Sequence, residues 1–257
     1  MINKEKITRN WLKRYTGTNP EDFGDWILIT NFQNYVDKFA EKFGVEVKGR
    51  GGAMTSATNH DGLSIVNYGM GSANAATIMD LLSGIEPKGV LFLGKCGGLR
   101  KSTELGHFIL PIAAIRGEGT SDDYFPKEVP AMPSFKLHKD VSQLLVESEL
   151  DYRTGVIYTT NRRVWEHDEE FKTYLRKVRA IGIDMETATV FITGFANGID
   201  RGALLLVSDT PMTPEGVKTE ESDKEVTRKY VDLHLKMGIE AMTRIGDEGE
   251  KIKHFVY

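Results

Sequence analysis

Short stretches that are apolar at every position restrict the fold of this chain more than any other feature of its sequence. Ala203–Val207 reads Ala-Leu-Leu-Leu-Val and lacks the polar alternation of a strand that has one face in water. Such a strand is typical of the centre of a parallel sheet that helices cover on both sides. Trp26–Ile29, Gly89–Leu93 and Ala180–Ile183 are further short apolar strands, and amphipathic helical patterns separate them. This alternation predicts one three-layer α/β domain.

The 257 residues contain no internal repeat, low-complexity linker or break in composition that would divide this domain. We therefore expect an N-terminal extension over 1–24, a single domain over 25–246 and a polar tail over 247–257. The sequence also predicts a last helix that starts near Ser222, with Glu225 completing a capping box.

Composition argues against several classes of function. The formal net charge of −4 and a pI near 5.9 argue against a surface for nucleic acid. The single cysteine, Cys96, cannot form an intrachain disulfide, and the six histidines lack metal-ligand spacing, so we expect no metal and no cofactor. No stretch approaches the ~20 apolar residues of a membrane span, and the N-terminus lacks the apolar core of a signal peptide. These features predict a soluble cytoplasmic protein that does not bind membranes.

Asp209 is the first candidate for chemistry, because it follows the apolar run Ala203–Val207 and the polar Ser208. Ligands of open α/β sheets bind outside the carboxyl ends of the strands. A carboxyl group there is partly removed from water, which raises its pKa and suits it to act as a general acid. The alternative is a turn or helix-capping carboxylate before Thr210-Pro211, and Asp209 alone does not separate the two.

Two glycine-rich segments are candidates for ligand contact through backbone N–H groups. Gly94-Lys95-Cys96-Gly97-Gly98 follows a predicted strand, and we expect a loop in which Lys95 faces a phosphate or a ribose hydroxyl. A tight turn with a solvated lysine is the alternative. Gly69-Met70-Gly71-Ser72 precedes a helix, so Gly71 would lie at a helix N-terminus that suits an anion, with Ser72 as the N-cap.

Asp184-Met185-Glu186 stands between a predicted strand and a predicted helix. A carboxylate at this junction can accept both hydroxyls of a ribose, because it has two oxygens. The alternative is an acidic helix start that matches the helix dipole.

Basic and aromatic residues near predicted loops could complete a site. The available cations are Arg50, Arg116, Arg162 and Arg163, although surface arginines usually bind no ligand. Three aromatic residues could stack on a base or pack in the core: Tyr124, Phe125 and Trp165. The segment Ile115–Pro133 is rich in Gly, Asp and Pro, and is predicted to be an active-site loop or an interface arm.

Together these segments resemble the purine nucleoside phosphorylase/uridine phosphorylase superfamily and, within it, the AMP nucleosidases. The resemblance runs from about residue 25 to residue 245. Its motifs are Gly69-Met70-Gly71, Leu93-Gly94-Lys95-Cys96-Gly97-Gly98-Leu99-Arg100, Arg153-Thr154-Gly155, Asp184-Met185-Glu186-Thr187-Ala188-Thr189 and Val207-Ser208-Asp209. It implies a nucleoside phosphorylase-like α/β/α fold with a central twisted mixed sheet that is partly barrel-like. It also implies a homo-oligomer, a hexamer or a dimer, whose sites borrow residues from a neighbouring subunit. The N-terminal regulatory domain of long AMP nucleosidases would be missing, since only about 25 residues precede the first strand.

The resemblance implies roles for individual residues. Asp209 would protonate N7 of a purine, and Ser208 would position that acid. Glu186 and the Met185 backbone would hold the ribose hydroxyls, while the segment 94–98 would lie beside the ribose and the attacking group. The full set of candidate substrate-binding residues is Met185, Glu186, Ser208, Gly94, Lys95, Cys96, Gly97, Gly71, Arg50 and Arg162. Arg50 of a neighbouring subunit is the candidate for holding a 5′-phosphate.

Two departures from the phosphorylases favour water as the attacking group. Phe92 replaces the arginine that holds inorganic phosphate two residues before Gly94, and the segment Thr30-Asn31-Phe32-Gln33 lacks a second arginine. The same segment lacks the glutamate with which hydrolytic relatives activate water, so the base stays unassigned.

The resemblance, together with these departures, therefore implies hydrolysis of the N-glycosidic bond of AMP, giving adenine and ribose 5-phosphate. A phosphate-dependent purine nucleoside phosphorylase is the alternative enzyme. An inactive nucleotide-binding or sensor protein on the same scaffold is the alternative from another class.

Overall fold

The computed structural model of the protein describes residues 3–248, so most of the predicted polar tail lies outside the described residues. The α-helices are α1 (Lys4–Thr16), α2 (Gln33–Phe43), α3 (Ser72–Leu82), α4 (Phe135–Glu147), α5 (Glu169–Lys177), α6 (Thr187–Ala196) and α7 (Glu220–Glu248). The strands are β1 (Trp26–Thr30), β2 (Thr55–Thr58), β3 (Leu63–Asn67), β4 (Gly89–Gly98), β5 (Phe108–Gly117), β6 (Tyr152–Thr160), β7 (Gly182–Asp184) and β8 (Arg201–Asp209). Between residues 3 and 248, no helix is both long and apolar enough to cross a membrane.

The strands form one mixed sheet in the order β2-β3-β1-β4-β7-β6-β5-β8. β8 also pairs with β4, so the five strands from β4 to β8 close into a barrel-like ring. β1, β4 and β8 are parallel neighbours, which brings their carboxyl ends to the same side of the sheet. The predicted twisted mixed sheet with a partly barrel-like form is confirmed.

The apolar strands are buried on both faces, and successive side chains enter two different cores. In β8, Leu205 and Val207 belong to the core that α1, α3 and α6 cover. Leu204 and Leu206 belong to the opposite core, which α2, α4 and α7 cover. Because neither face of the strand meets water, its sequence shows no polar alternation, and the predicted three-layer arrangement follows from this.

Two predicted helix starts are wrong by a short distance. α7 begins at Glu220 rather than near Ser222, and the capping pair is Thr219 with Ser222. The Thr219 N–H donates to Ser222 Oγ at 2.9 Å, and the Ser222 N–H donates to Thr219 Oγ1 at 3.1 Å. Ser72 is not an N-cap either, because it is the first residue of α3 and its hydroxyl donates to the Met185 carbonyl at 2.6 Å.

The segment Ile115–Pro133 does not form an active-site loop within this chain. Its first residues extend β5, and the Arg116 guanidinium then holds the remainder together through the carbonyl of Phe125 and the carboxylate of Asp122. The Tyr124 hydroxyl donates to Asp80 on α3 at 2.6 Å, and the ring of Phe125 stacks on Phe195 of α6. Tyr124 and Phe125 therefore pack against helices and are not available to stack on a base.

A buried histidine links α7, α2 and the middle of β8. His234 of α7 donates from Nε2 to the Leu204 carbonyl at 2.9 Å, so its Nδ1 accepts from the Tyr35 hydroxyl at 2.8 Å. Burial lowers the pKa of His234 to about 4, although the bond to Leu204 opposes this change. The imidazole is therefore neutral at pH 7 in the folded protein.

This histidine predicts a loss of stability in mild acid. Its pKa is lower in the folded chain than the ordinary 6.5, so the unfolded chain binds the proton first as pH falls. The free energy of unfolding should fall by about 2 kcal/mol between pH 7 and pH 5 through this one group. Urea titrations at several pH values should show a flatter dependence for His234→Gln than for the unmodified protein.

His60→Gln is the matched control, because His60 lies in the exposed turn between β2 and β3. It should keep the pH dependence of the unmodified protein. Equal slopes for the two histidine variants between pH 7 and pH 5 would assign the acid sensitivity to other groups.

Candidate active site

A cleft opens at the carboxyl ends of β1, β4 and β8, where the sequence predicts ligand binding. Most of the predicted site residues line it: Lys95, Cys96, Gly97, Arg162, Met185, Glu186, Ser208 and Asp209. These residues come from the ends of β4, β7 and β8 and from the loop after β6, and the fold brings them together across more than a hundred positions of sequence. The predicted role of each stays a prediction.

Three predicted site residues do not line the cleft. Gly94 lies inside β4, and a Cβ atom there would come within 2.4 Å of the Phe92 ring, so the glycine serves packing. Gly71 contributes only its backbone N–H, which donates to Glu186. Arg50 is exposed and pairs with Asp37 at 2.7 Å. Arg50 would reach a cleft only in a neighbouring copy, and the homo-oligomer that this requires stays a prediction.

The segment 94–98 is not the loop that its glycines suggest. It continues β4 to Gly98, and Gly97 pairs with Ile183 of β7 in the antiparallel sense. A Cβ atom at Gly97 would lie 2.8 Å from Pro211, and one at Gly98 would lie 2.6 Å from the Thr103 carbonyl oxygen. The glycines are needed because other elements approach the strand closely, which sequence alone does not separate from a loop.

A β-bulge places the acid of β8. Cys96 pairs with Val207, but the next residue, Gly97, pairs with Asp209, so Ser208 is an extra residue in β8. The Ser208 hydroxyl donates to Asp209 Oδ1 at 2.7 Å. Burial raises the pKa of Asp209, and the bond from Ser208 and the charge of Lys218 partly oppose this. Asp209 is therefore better able to hold a proton near neutral pH than an ordinary aspartate is.

Asp184 and Glu186 form a buried pair of carboxyl groups where β7 meets α6. Asp184 accepts from both the hydroxyl and the N–H of Thr187, at 2.6 and 2.8 Å, and from the Thr159 hydroxyl at 2.7 Å. Glu186 accepts from the Gly71 N–H at 2.8 Å and from Asn31 Nδ2 at 3.4 Å. The shorter and more numerous bonds favour the charged form of Asp184, so Glu186 is the member that takes up a proton.

The pKa of Glu186 is raised to about 8, first by burial and then by the negative charge of Asp184. A ligand with two hydroxyl donors would compensate the buried carboxylate and displace the proton. The geometry therefore suits Glu186 to bind a vicinal diol such as that of a ribose.

Asn31 is a cleft residue that the sequence reasoning did not single out. It follows β1, donates to Glu186 and leaves its own buried Oδ1 without a hydrogen-bond partner among residues 3–248. Its position directly after an apolar strand could have identified it, because Asp209 and Glu186 were chosen for the same kind of position.

Lys95 does not face open space as its predicted role requires. Its ammonium group binds Asp223 Oδ1 at 2.9 Å and the Thr227 hydroxyl at 2.8 Å, both on α7. The side chain is only 3% exposed, and the ammonium lies 4.7 Å from the centre of the Phe32 ring. Asp223 and Lys218 also line the cleft, and no local pattern marks either of them.

Arg162 and Trp165 form the wall beyond β6. Arg162 pairs with Asp168 at 2.9 Å and lies over the ring of Phe171. Trp165 lines the cleft but packs its ring edge-on against Phe171. The Cys96 thiol is buried, and burial raises its pKa well above the ordinary value, so it is a poor nucleophile.

Comparison with known proteins identifies a family and several relatives of this chain. The family model of the phosphorylase superfamily matches residues 26–244. AMP nucleosidase of Escherichia coli strain K12 is 28% identical, and the match covers 94% of this chain but 59% of that protein. The chain thus spans about three fifths of that curated relative. Guanosine phosphorylase of Halorubrum lacusprofundi is also 28% identical, over 68% of this chain and 72% of its own length.

Two solved structures of similar proteins have the same fold as this chain. A crystal structure of AMP nucleosidase from Bacteroides thetaiotaomicron superimposes with a TM-score of 0.86 at 51% identity, covering 96% of this chain and all of that one. Uridine phosphorylase of Vibrio fischeri has a TM-score of 0.80 at 19% identity, covering 90% of this chain and 97% of that one. The second likeness shows the fold alone.

The carboxyl pair predicts a titration that can be measured without substrate. Asp184→Asn removes the negative charge beside Glu186, which favours the charged form of Glu186. The pKa of Glu186 should fall below its value of about 8 but stay above that of an ordinary glutamate, since burial still raises it. Carbon-13 NMR of the labelled glutamate carboxyl groups reports this titration directly.

Asp61→Asn, in the exposed turn after β2, is the control and should leave the Glu186 titration in place. A Glu186 pKa that stays near 8 in Asp184→Asn would mean that burial alone raises it.

Proposed function

Because the chain belongs to the phosphorylase superfamily, we propose that it hydrolyses the N-glycosidic bond of AMP and releases adenine and ribose 5-phosphate. The observation that carries this proposal is the likeness to AMP nucleosidases over almost the whole chain, at 51% identity for the solved structure. The cleft supports it with an acid at one strand end and a diol-binding carboxylate at another.

Asp209 is the proposed general acid. It lies at the end of β8, is largely buried and has a raised pKa. Breaking the glycosidic bond leaves negative charge on the purine, and a proton delivered to N7 neutralises that charge as it forms. Ser208 holds the carboxyl group through its bond to Oδ1, which leaves the second oxygen, Oδ2, to carry the proton for the base.

Glu186 is the proposed ribose-binding group. It accepts the 2′- and 3′-hydroxyls once they displace its proton, and the Met185 backbone lies beside it. The sugar becomes positively charged as the bond breaks, so a nearby carboxylate stabilises the oxocarbenium-like transition state. The same bonds fix the ring, which leaves C1′ open to attack.

Water is the proposed nucleophile, because this chain lacks an arginine with which phosphorylases hold inorganic phosphate. Phe92, at the position of the phosphate-binding arginine, is fully buried in the core and does not line the cleft. The neighbouring Lys95 is already paired with Asp223. An arginine there could hold inorganic phosphate through two parallel N–H donors, and Phe92 offers none.

Replacing the acid should reduce turnover strongly. Asp209→Asn removes the proton donor and should lower kcat for AMP by about 10²- to 10⁴-fold. The rate of adenine release in a spectrophotometric assay measures this. The activity of the unmodified enzyme should also decline as pH rises, since Asp209 acts in its protonated form.

Asp232→Asn is the control, because Asp232 is exposed on α7 and pairs with Lys38. It should keep normal turnover. Near-normal activity of Asp209→Asn would overturn the assignment of the acid.

The choice of nucleophile has its own test. In phosphate-free buffer the purified protein should release adenine from AMP, whereas adenosine should react much more slowly because it lacks the 5′-phosphate. The products should be followed by chromatography with and without added phosphate. Turnover of adenosine that requires phosphate and yields ribose 1-phosphate would instead identify a phosphorylase.

A further inference from the structure

The cluster formed by Lys95, Lys218 and Asp223 has an unusual arrangement of charge. Both ammonium groups bind the same carboxylate oxygen, Asp223 Oδ1, at 2.9 and 3.1 Å. Two positive charges therefore share one negative charge at the wall of the cleft. The cluster keeps a net charge of about +1 when both lysines are protonated, and its members line the cleft that also holds Asp209.

We propose that Lys95 and Lys218 form a binding subsite for a phosphate dianion, and that Asp223 occupies it only while no phosphate is bound. This proposal rests on the proposed function, since it assigns part of the same cleft to a phosphate group. The chemical class of the ligand is a phosphate monoester or inorganic phosphate.

The burial of Lys95 supports this exchange. Its side chain is 3% exposed and cannot turn out to water, and burial lowers its pKa. A buried ammonium group needs an anion beside it at all times. Asp223 is different, because 38% of its side chain is exposed and it can turn outward without leaving a buried charge unpaired.

The donors also match a phosphate group better than a carboxylate. Lys95 and Lys218 supply two ammonium groups, and the Thr227 hydroxyl lies 2.8 Å from Lys95 Nζ. A phosphate monoester carries a charge of about −1.5 to −2 at pH 7 and has three acceptor oxygens. It would neutralise both lysines, whereas one Asp223 oxygen leaves half of their charge without compensation.

The subsite would also couple phosphate binding to the acid. The charge of Lys218 opposes the raised pKa of Asp209, after the larger effects of burial and the Ser208 bond. A phosphate bound to Lys218 would offset that charge and help Asp209 to keep its proton. Substrate with a phosphate would thus be protonated more readily than substrate without one.

Three variants test the subsite: Lys218→Met, Lys95→Met and Asp223→Asn. Calorimetric titration with inorganic phosphate measures binding directly, and KM and kcat are measured for AMP and for adenosine. The lysine variants should weaken phosphate or AMP binding by about 10- to 100-fold, the usual effect of losing a charged hydrogen bond. Adenosine should not share this loss of affinity, because it has no phosphate to bind. Asp223→Asn should strengthen phosphate binding, because the competing carboxylate is gone.

Lys224→Met is the matched control, since Lys224 is exposed on α7 beside Asp223 and pairs with Glu220. Lys218→Met keeps the test decisive if Lys95→Met does not fold, because Lys218 is less deeply buried. A rise in KM for AMP together with weaker phosphate binding assigns the subsite to the substrate's own phosphate. Weaker phosphate binding with an unchanged KM assigns it to free phosphate.

Two results would overturn the proposal. One is lysine variants that match Lys224→Met in binding both phosphate and AMP. The other is an equal loss of AMP and adenosine. Failure of the proposed function looks different, because AMP would then bind in the calorimeter without release of adenine.

Discussion

The parallel pairing of β4 with β8 is the constraint on which the rest of the molecule depends. The two strands run side by side with every residue from Val90 to Cys96 matched to one from Arg201 to Val207. Each strand is apolar on both faces, so helices must cover the sheet on both sides, and this determines the three layers. The pairing also aligns the two carboxyl ends, and the bulge at Ser208 ends the regular register where β8 reaches the cleft.

Burial then creates the chemical properties of the cleft. The same removal from water raises the pKa of Asp209 and of Glu186, yet the proposed roles of the two groups are opposite. In the proposed reaction, Asp209 would hold a proton until the purine takes it, while Glu186 would give up its proton when a ribose binds. Separate hydrogen-bond partners distinguish them: Ser208 for Asp209, and the Gly71 N–H with Asn31 for Glu186.

The sequence allows prediction of those features that depend on a strand and the residues directly after it. Asp209 and Glu186 were found because each follows a short apolar run, and the same rule would have found Asn31. The glycines of 94–98 led to a wrong prediction of a loop. Pro211 and Thr103 approach this strand so closely that only glycine fits, and a loop would show the same glycines.

Contacts between distant segments could not be predicted. Lys95 and Asp223 are 128 positions apart, and nothing in either local sequence marks them as partners. The same holds for Lys218, whose place in the cleft depends on how the segment after β8 returns to α7. Arg50 was chosen for its charge alone, and its ion pair with Asp37 lies outside the cleft.

Closure of the ring from β4 to β8 has a consequence for how copies of this chain can meet. Every described strand except β2 has hydrogen-bonded neighbours on two sides, and β2 is four residues long. A bridge between Lys48 and Ser56 covers part of its outer side. The sheet therefore offers almost no open edge on which a strand from another molecule could add, which protects it from edge-to-edge aggregation. Any assembly of this protein must use its helices and loops rather than extend its sheet.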